Sequence, residues 1–195
     1  MLSVAGIPIF FTLSSFHEEK LAMDRFAHVP FSLLRFQRTF EGDVCDLVQD
    51  ANTLGLIAEE KAGRLTPSIL SQWITRAEEA FVLIVDWEIA GFGTIGCKEW
   101  AFPEGFCEVG HLIIKADRRR RGYGSILLLC LLDEIRKRGF KFAAGRICVG
   151  NEPARLLLNK QGWQKTNRPE FIHDNRFEWF YRECRVKKEQ NLPSY

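Results

Sequence analysis

The stretch Arg119-Arg120-Arg121-Gly122-Tyr123-Gly124-Ser125 links an apolar, strand-like run (Val109 to Ile114) to a helix of almost unbroken leucine, Ile126 to Ile135. That helix is apolar nearly all round at its start, so it must be buried on more than one side. Asp133, Glu134, Arg136, Lys137 and Arg138 mark its solvated end, and Gly139 is placed to stop it. A strand and a doubly covered helix joined by a short turn call for a layered α/β domain. The turn itself exposes backbone N–H groups at the positive end of a helix. Glycines let a ligand come close, and arginines stand beside them. This is a cradle for an anion, and a pyrophosphate suits it best.

Composition excludes several classes. At 195 residues the chain fits one domain with a short extension and can bury a full core. Its 46% hydrophobic and 27% charged content is that of an ordinary soluble globular protein. A net charge of +2 is too small to argue for a nucleic-acid or membrane partner. The cysteines (Cys45, Cys97, Cys107, Cys130, Cys148, Cys184) are scattered, with no Cys-x-x-Cys pair. Several sit in apolar runs, where a reduced thiol behaves as a small hydrophobe in a reducing cytosol. No spaced His/Cys cluster points to a metal. Val4 to Phe16 is apolar, but no Lys or Arg precedes it, Pro8 interrupts it and no small-residue cleavage site follows before Glu18. It is also shorter than the ~20 residues a membrane helix needs. It reads as a strand-like arm, and the cytoplasm is the expected location.

The rest of the chain alternates strands and helices without repeats. Phe31 to Thr39 reads as a first strand, and Glu41-Gly42-Asp43 starts one helix that runs to Gly55. Thr66-Pro67-Ser68 is an N-cap with an early proline, leading into Ile69, Leu70, Trp73 and Ile74. Ala80 to Trp87, Ile89 to Cys97 and Phe106 to Lys115 form an antiparallel meander of three strands. Phe142 to Val149 is a further strand. Asn151-Glu152-Pro153 opens a short helix that Gly162 ends, and Phe177 to Cys184 is a final strand. Residues 31–186 are therefore expected to form one domain, with 1–30 an extension and 187–195 a frayed tail.

Arg119, Gly122 and Gly124 form an Arg-x-x-Gly-x-Gly motif at a strand-to-helix junction, and Asn151, Ala154, Leu157, Lys160, Gly162 and Trp163 follow at matching spacing. Two such motifs in order resemble those of the GNAT superfamily of acyl-CoA-dependent N-acetyltransferases. The likeness is strong over Phe106 to Trp163 and fair from Phe31 to Arg185. It implies a central mixed, mostly antiparallel sheet of about six to seven strands flanked by about four helices.

The resemblance also implies a site. Arg119, Arg120, Arg121, Gly122, Tyr123, Gly124 and Ser125 would hold the pyrophosphate of acetyl-CoA, largely through backbone N–H groups. For Arg118 and Arg121 a solvated loop charge is an equal reading. In family members the strand before this loop splays from the next, and the pantetheine arm enters the gap. Ile113 and Ile114 occupy that end here, and Asn151 is placed to contact the arm or simply to cap its helix. Acetyl-CoA is thus the expected donor, an amine the acceptor, with no metal. Glu108, fourteen residues before Gly122, matches the catalytic glutamate of the histone-acetylating branch. As a base it would take the proton of the attacking amine. His111 is its rival, and strand alternation sends the two to opposite faces unless a bulge intervenes.

One position departs from the family. Where many members carry a tyrosine that reprotonates the leaving thiolate, this chain has Leu158. Tyr181, Tyr123, a thiol or water would have to serve, or no general acid is needed. The departure supports a second reading, a degenerate acyl-CoA sensor without catalysis. A nucleic-acid contact through the arginine run ranks last, since no aromatic residues are interleaved with it. Glu59, Glu60, Glu78, Glu79, Glu99 and Glu104 lean slightly toward a cationic acceptor. The loop Arg168 to Arg176 belongs to the acceptor side, and a homodimer is left open.

Overall fold

The structure, a computed structural model, describes residues 30–58, 62–96, 104–166 and 176–184. The arm, the tail, Glu59, Glu60, Cys97, Glu99 and residues 168–175 of the acceptor-side loop lie outside that set. Seven strands form one mixed sheet in the order β1-β2-β3-β4-β5-β7-β6. They are β1 (Phe31–Arg35), β2 (Glu79–Val85), β3 (Glu88–Ile95), β4 (Phe106–Ile114), β5 (Phe142–Cys148), β6 (Gln164–Thr166) and β7 (Phe177–Glu183). Five α-helices accompany them among the described residues: α1 (Glu41–Cys45), α2 (Ala51–Ala58), α3 (Pro67–Arg76), α4 (Tyr123–Lys137) and α5 (Glu152–Lys160). All neighbouring pairs are antiparallel except β4 with β5. The expected meander is β2-β3-β4.

The sheet is covered on both faces. The leucine-rich α4 packs against β3 and β4 with Ile126, Leu127, Leu128, Leu131 and Ile135 nearly or fully inaccessible. Fully burying a side chain of this size contributes ~1.5–3 kcal/mol, so α4 is the main anchor of that face. Glu134 and Glu79 both pair with Arg138, tying its C-terminal end to β2. On the opposite face α1 and α3 bury Val44, Leu70 and Trp73 against Val82, Phe92 and Ile113. Thr66 caps α3 as expected, its Oγ1 accepting from the Ile69 N–H, with Pro67 following.

Three elements differ from the sequence reading. The first strand, expected to reach Thr39, stops at Arg35, and Arg38–Phe40 form a 3-10 turn. The single helix expected from residue 41 to Gly55 is broken into α1 and α2. The Asp50 carboxylate accepts from the Thr53 N–H at 2.8 Å and so starts a second helix instead of continuing the first. The short β6 was not anticipated, because all three of its residues are exposed and carry no apolar pattern. No helix among the described residues is long and apolar enough to cross a membrane.

Candidate active site

The site grows from the way β4 leaves its neighbours. β4 pairs in parallel with β5 only from Phe106 to Val109, opposite Phe142 to Gly145. Beyond Gly145, β5 pairs with β7 alone, while β4 continues to Ile114 against β3. The two strands therefore part, and a cleft opens between them. Val109 to Leu112 line one side, Gly145 to Ile147 the other, and Asn151, Leu157 and Leu158 bring α5 to it.

At the far end of β4 the chain turns into α4. Gly122 is the N-cap residue with φ +90, and Arg120 is also left-handed at φ +61. With a glycine at the cap, no side chain covers the first turn of α4. The N–H groups of Ser125 and Ile126 both close onto the Gly122 carbonyl. Donors available to a ligand thus belong to the turn upstream of Ser125. The Tyr123 ring packs into the core beneath α4, so this residue can serve a ligand only through its backbone.

The arginine run divides by role. Arg118 donates to Asp86 at 2.9 Å and to Glu88 at 3.5 Å, pinning the β2–β3 hairpin to the loop. The Arg119 Nε donates to the Ile114 carbonyl at 3.0 Å, bracing the turn against the strand it leaves. Arg120 and Arg121 are exposed and form no ion pair with the described residues.

Ile113 and Ile114 differ in where their backbones point. Lys115 donates to the Ala90 carbonyl, and the ladder registers Ile113 with Phe92. In an antiparallel ladder alternate residues face the same neighbour, so Ile113 is committed to β3 and Ile114 faces the cleft. Asn151 has both ends of its amide engaged: Oδ1 accepts from the Ala154 N–H at 3.2 Å, and Nδ2 donates to the Leu56 carbonyl of α2 at 3.1 Å. It lines the cleft while fastening α2 to α5.

Glu108 is 6% exposed, and its carboxylate lies 3.2 Å from the Arg146 Nε of β5. Burial and an adjacent guanidinium act in opposite directions on a carboxylate. Arg146 also lies over the Phe177 ring, 4.9 Å from its centre. Cys107 and Val109 belong to the core under α4, so Glu108 between them faces the α3 side. His111 faces that side too, stacked on Trp73 of α3. A bulge brings them to one face: between Thr94 and Phe92, β3 has one residue where β4 has two, His111 and Leu112. Loss of solvation, with Arg146 and Arg76 nearby, pushes His111 down to about 3. It is a neutral ring and a weak base.

Leu158 is buried among the α4 core residues, and the Tyr181 hydroxyl donates to Gln164 at 2.7 Å. Burial pushes the thiols of Cys107 and Cys130 up to about 12. Sequence reasoning missed Arg146, Thr94 and Trp73 as members of this group. An arginine inside the apolar strand Phe142–Cys148 was a signal for the first; the others carried none.

Comparison with known proteins agrees with this geometry. The Acetyltransferase (GNAT) family matches residues 43–163. No curated protein sequence matches the chain. Among solved structures, the ribosomal-protein-S18-alanine N-acetyltransferase from Escherichia coli is similar, at 17% identity and TM-score 0.58, with 83% of this chain and 98% of that one covered. The spermidine N-acetyltransferase from Vibrio cholerae, solved with CoA and spermine, is similar at 17% identity and TM-score 0.62, covering 79% and 95%. Ard1 from Thermoplasma volcanium is similar at 17% identity and TM-score 0.59, covering 78% and 97%. The parted β4 and β5, the glycine-capped α4 and the match over most of the domain together make this chain a member of the GNAT acetyltransferase family.

Proposed function

We propose that the protein moves an acetyl or other short acyl group from acyl-CoA to an amine. The observation that carries the reading is the parting of β4 from β5 after Val109 and Gly145, beside the uncapped start of α4. An extended, amide-bearing arm fits a strand edge that lacks its neighbour, and a diphosphate fits a helix start with glycines in place of side chains. The backbone of the Arg120–Gly124 turn would hold the diphosphate, with Arg120 and Arg121 adding charge. Ile114, whose carbonyl already accepts from Arg119, would offer its backbone N–H to the arm.

In the reaction a neutral amine nitrogen bonds to the thioester carbonyl carbon while the carbonyl π pair moves to oxygen. Collapse breaks the C–S bond, and CoA leaves as thiolate. The proton shed by nitrogen passes to Glu108, directly or through a water. Glu108 suits that role better than His111, whose ring is too weakly basic. A thiol with a pKa of ~8.5 leaves without help, so Leu158 does not forbid turnover.

Leu158 does favour one second reading, an acyl-CoA sensor that binds without catalysis. Two measurements separate these. Acetyl-CoA should raise the melting temperature more than dephospho-CoA does, and an amine panel should release thiol. Glu108→Gln should then keep acetyl-CoA binding and lose ~10²–10⁴-fold in turnover. Binding with no thiol released from any amine would favour the sensor. Absence of any stabilisation by acetyl-CoA would refute both.

A further inference from the structure

β5 sets an arginine in the wall of the cleft. Arg146 is the first residue of β5 past the point where β4 leaves it, and it lines the opening. The rest of that strand, Phe142 to Cys148, is apolar or glycine. The guanidinium lies over the Phe177 ring of β7, and its Nε is 3.2 Å from the Glu108 carboxylate. Arg146 is the outer member of the pair, its side chain 27% exposed against 8% for Glu108. It is the charge that an acceptor entering the cleft meets first. The surroundings are positive as well. Beyond loss of solvation, the charges that hold the His111 ring neutral are those of Arg146 and of Arg76 in α3. Of the glutamates that leaned toward a cationic acceptor, Glu79 pairs with Arg35 and Arg138, and none among the described residues lines the cleft.

We propose that the acceptor is an α-amino acid: its carboxylate takes the Arg146 guanidinium over from Glu108, and its amine comes to lie beside the carboxylate so released. This rests on the acyl-transfer reading above. Geometry selects the class. Glu108 and Arg146 are in contact, so a molecule using both must carry its amine and its carboxylate a few bonds apart, as an α-amino acid does. A guanidinium holds a carboxylate through two parallel N–H donors, which fixes the direction from which the amine approaches. The exchange of partners also couples recognition to chemistry. A guanidinium in contact favours the charged form of a carboxylate, and its withdrawal favours the protonated form. In the transfer the amine nitrogen bonds to the thioester carbon, the C–S bond breaks, CoA leaves as thiolate and the amine's proton ends on Glu108. An amine without a carboxylate lacks the means to part the pair.

The test uses the full chain with acetyl-CoA, and thiol release reads kcat and KM. Each common α-amino acid is compared with its amide, which keeps the α-amine and lacks the carboxylate. In wild type at least one amino acid should exceed its amide in kcat/KM by ~10–100-fold, the range for one charge-assisted hydrogen bond. Arg146→Gln should raise KM for that amino acid until acid and amide are alike, and Arg146→Lys should recover part of the difference. An arginine that only neutralises Glu108 would leave the ratio of acid to amide where it was. A ratio near one in wild type, or an unchanged ratio in Arg146→Gln, would overturn the inference. So would thiol released only by amines without a carboxylate, a result that leaves acyl transfer standing. Binding of acetyl-CoA with no thiol released by any amine would overturn it too, in favour of the sensor. If Arg146→Gln fails to fold, Arg146→Lys decides by a smaller drop in the ratio, since it keeps the charge and loses the fork. Failure of wild type to bind acetyl-CoA would sink the acyl-CoA reading, and this inference with it.

Discussion

Replacing Gly124 with alanine should make the free protein more stable and its complex weaker. A Cβ built there meets Leu157 Cδ2 at 3.4 Å and Ile114 Cγ1 at 3.8 Å, ordinary van der Waals contact. The residue lies in the first turn of α4. Nothing in the fold demands glycine at this place. Alanine is preferred to glycine in a helix by up to ~1 kcal/mol, which for a domain of this size raises Tm by ~2–4 °C. The ligand feels the opposite effect. A methyl group beside the turn pushes a diphosphate back, and losing one charge-assisted hydrogen bond costs ~1.5–3 kcal/mol. Affinity for acetyl-CoA should then fall by ~10–100-fold. At a ligand concentration of ~100 times the wild-type Kd, binding adds ~2.7 kcal/mol to stability, against ~1.4 kcal/mol where Kd is tenfold higher. Scanning calorimetry with and without acetyl-CoA reads both quantities. The free variant should melt above free wild type, and its ligand-induced shift should be about half as large. Equal affinity in the two proteins would refute the role given to Gly124 in ligand approach. A lower melting point for the free variant would refute the packing argument.

Other outcomes follow from the same geometry. Arg118→Ala removes partly exposed pairs with Asp86 and Glu88; it should leave the melting temperature nearly unchanged and acetyl-CoA affinity unchanged in calorimetry. The same substitution at Arg120 or Arg121 should weaken binding and reduce its salt dependence. His111 sits at about 3 in the folded protein, against ~6.5 in an unfolded chain. Below pH 6.5 the unfolded chain takes up a proton that the folded one refuses, so stability is full above that pH and declines as pH falls. Between pH 8 and 5.5 this group alone removes on the order of 1 kcal/mol. In urea unfolding His111→Asn should show a decline shallower by that amount, and equal declines would contradict the assignment.

Much of the architecture was readable in the chain because it rests on periodicity. The all-apolar start of α4, the meander from Glu79 to Ile114 and the caps at Thr66 and Asn151 are local patterns that tertiary context left in place. The glycine turn before α4 was readable for the same reason: glycines at fixed offsets between two strongly patterned elements. The interior of the site was less so. A bulge leaves no trace in hydrophobic pattern, yet one extra residue in β4 reverses the side on which His111 lies relative to plain alternation. The engagement of Glu108 by Arg146 joins residues 38 positions apart on neighbouring strands, a pairing set by sheet order. The break between α1 and α2 turned on whether Asp50 would cap or continue, a choice that composition does not decide.

The short parallel seam between β4 and β5 has a mechanical meaning. Four residue pairs make the ladder that joins the plate β1–β4 to the plate β5-β7-β6, and α2, in contact with both β4 and β5, braces the seam together with the core side chains of α4 and α5. An extended guest lying along the open stretch would act as a missing rung. Its arrival would stiffen the molecule across this seam, and its departure would restore the compliance there.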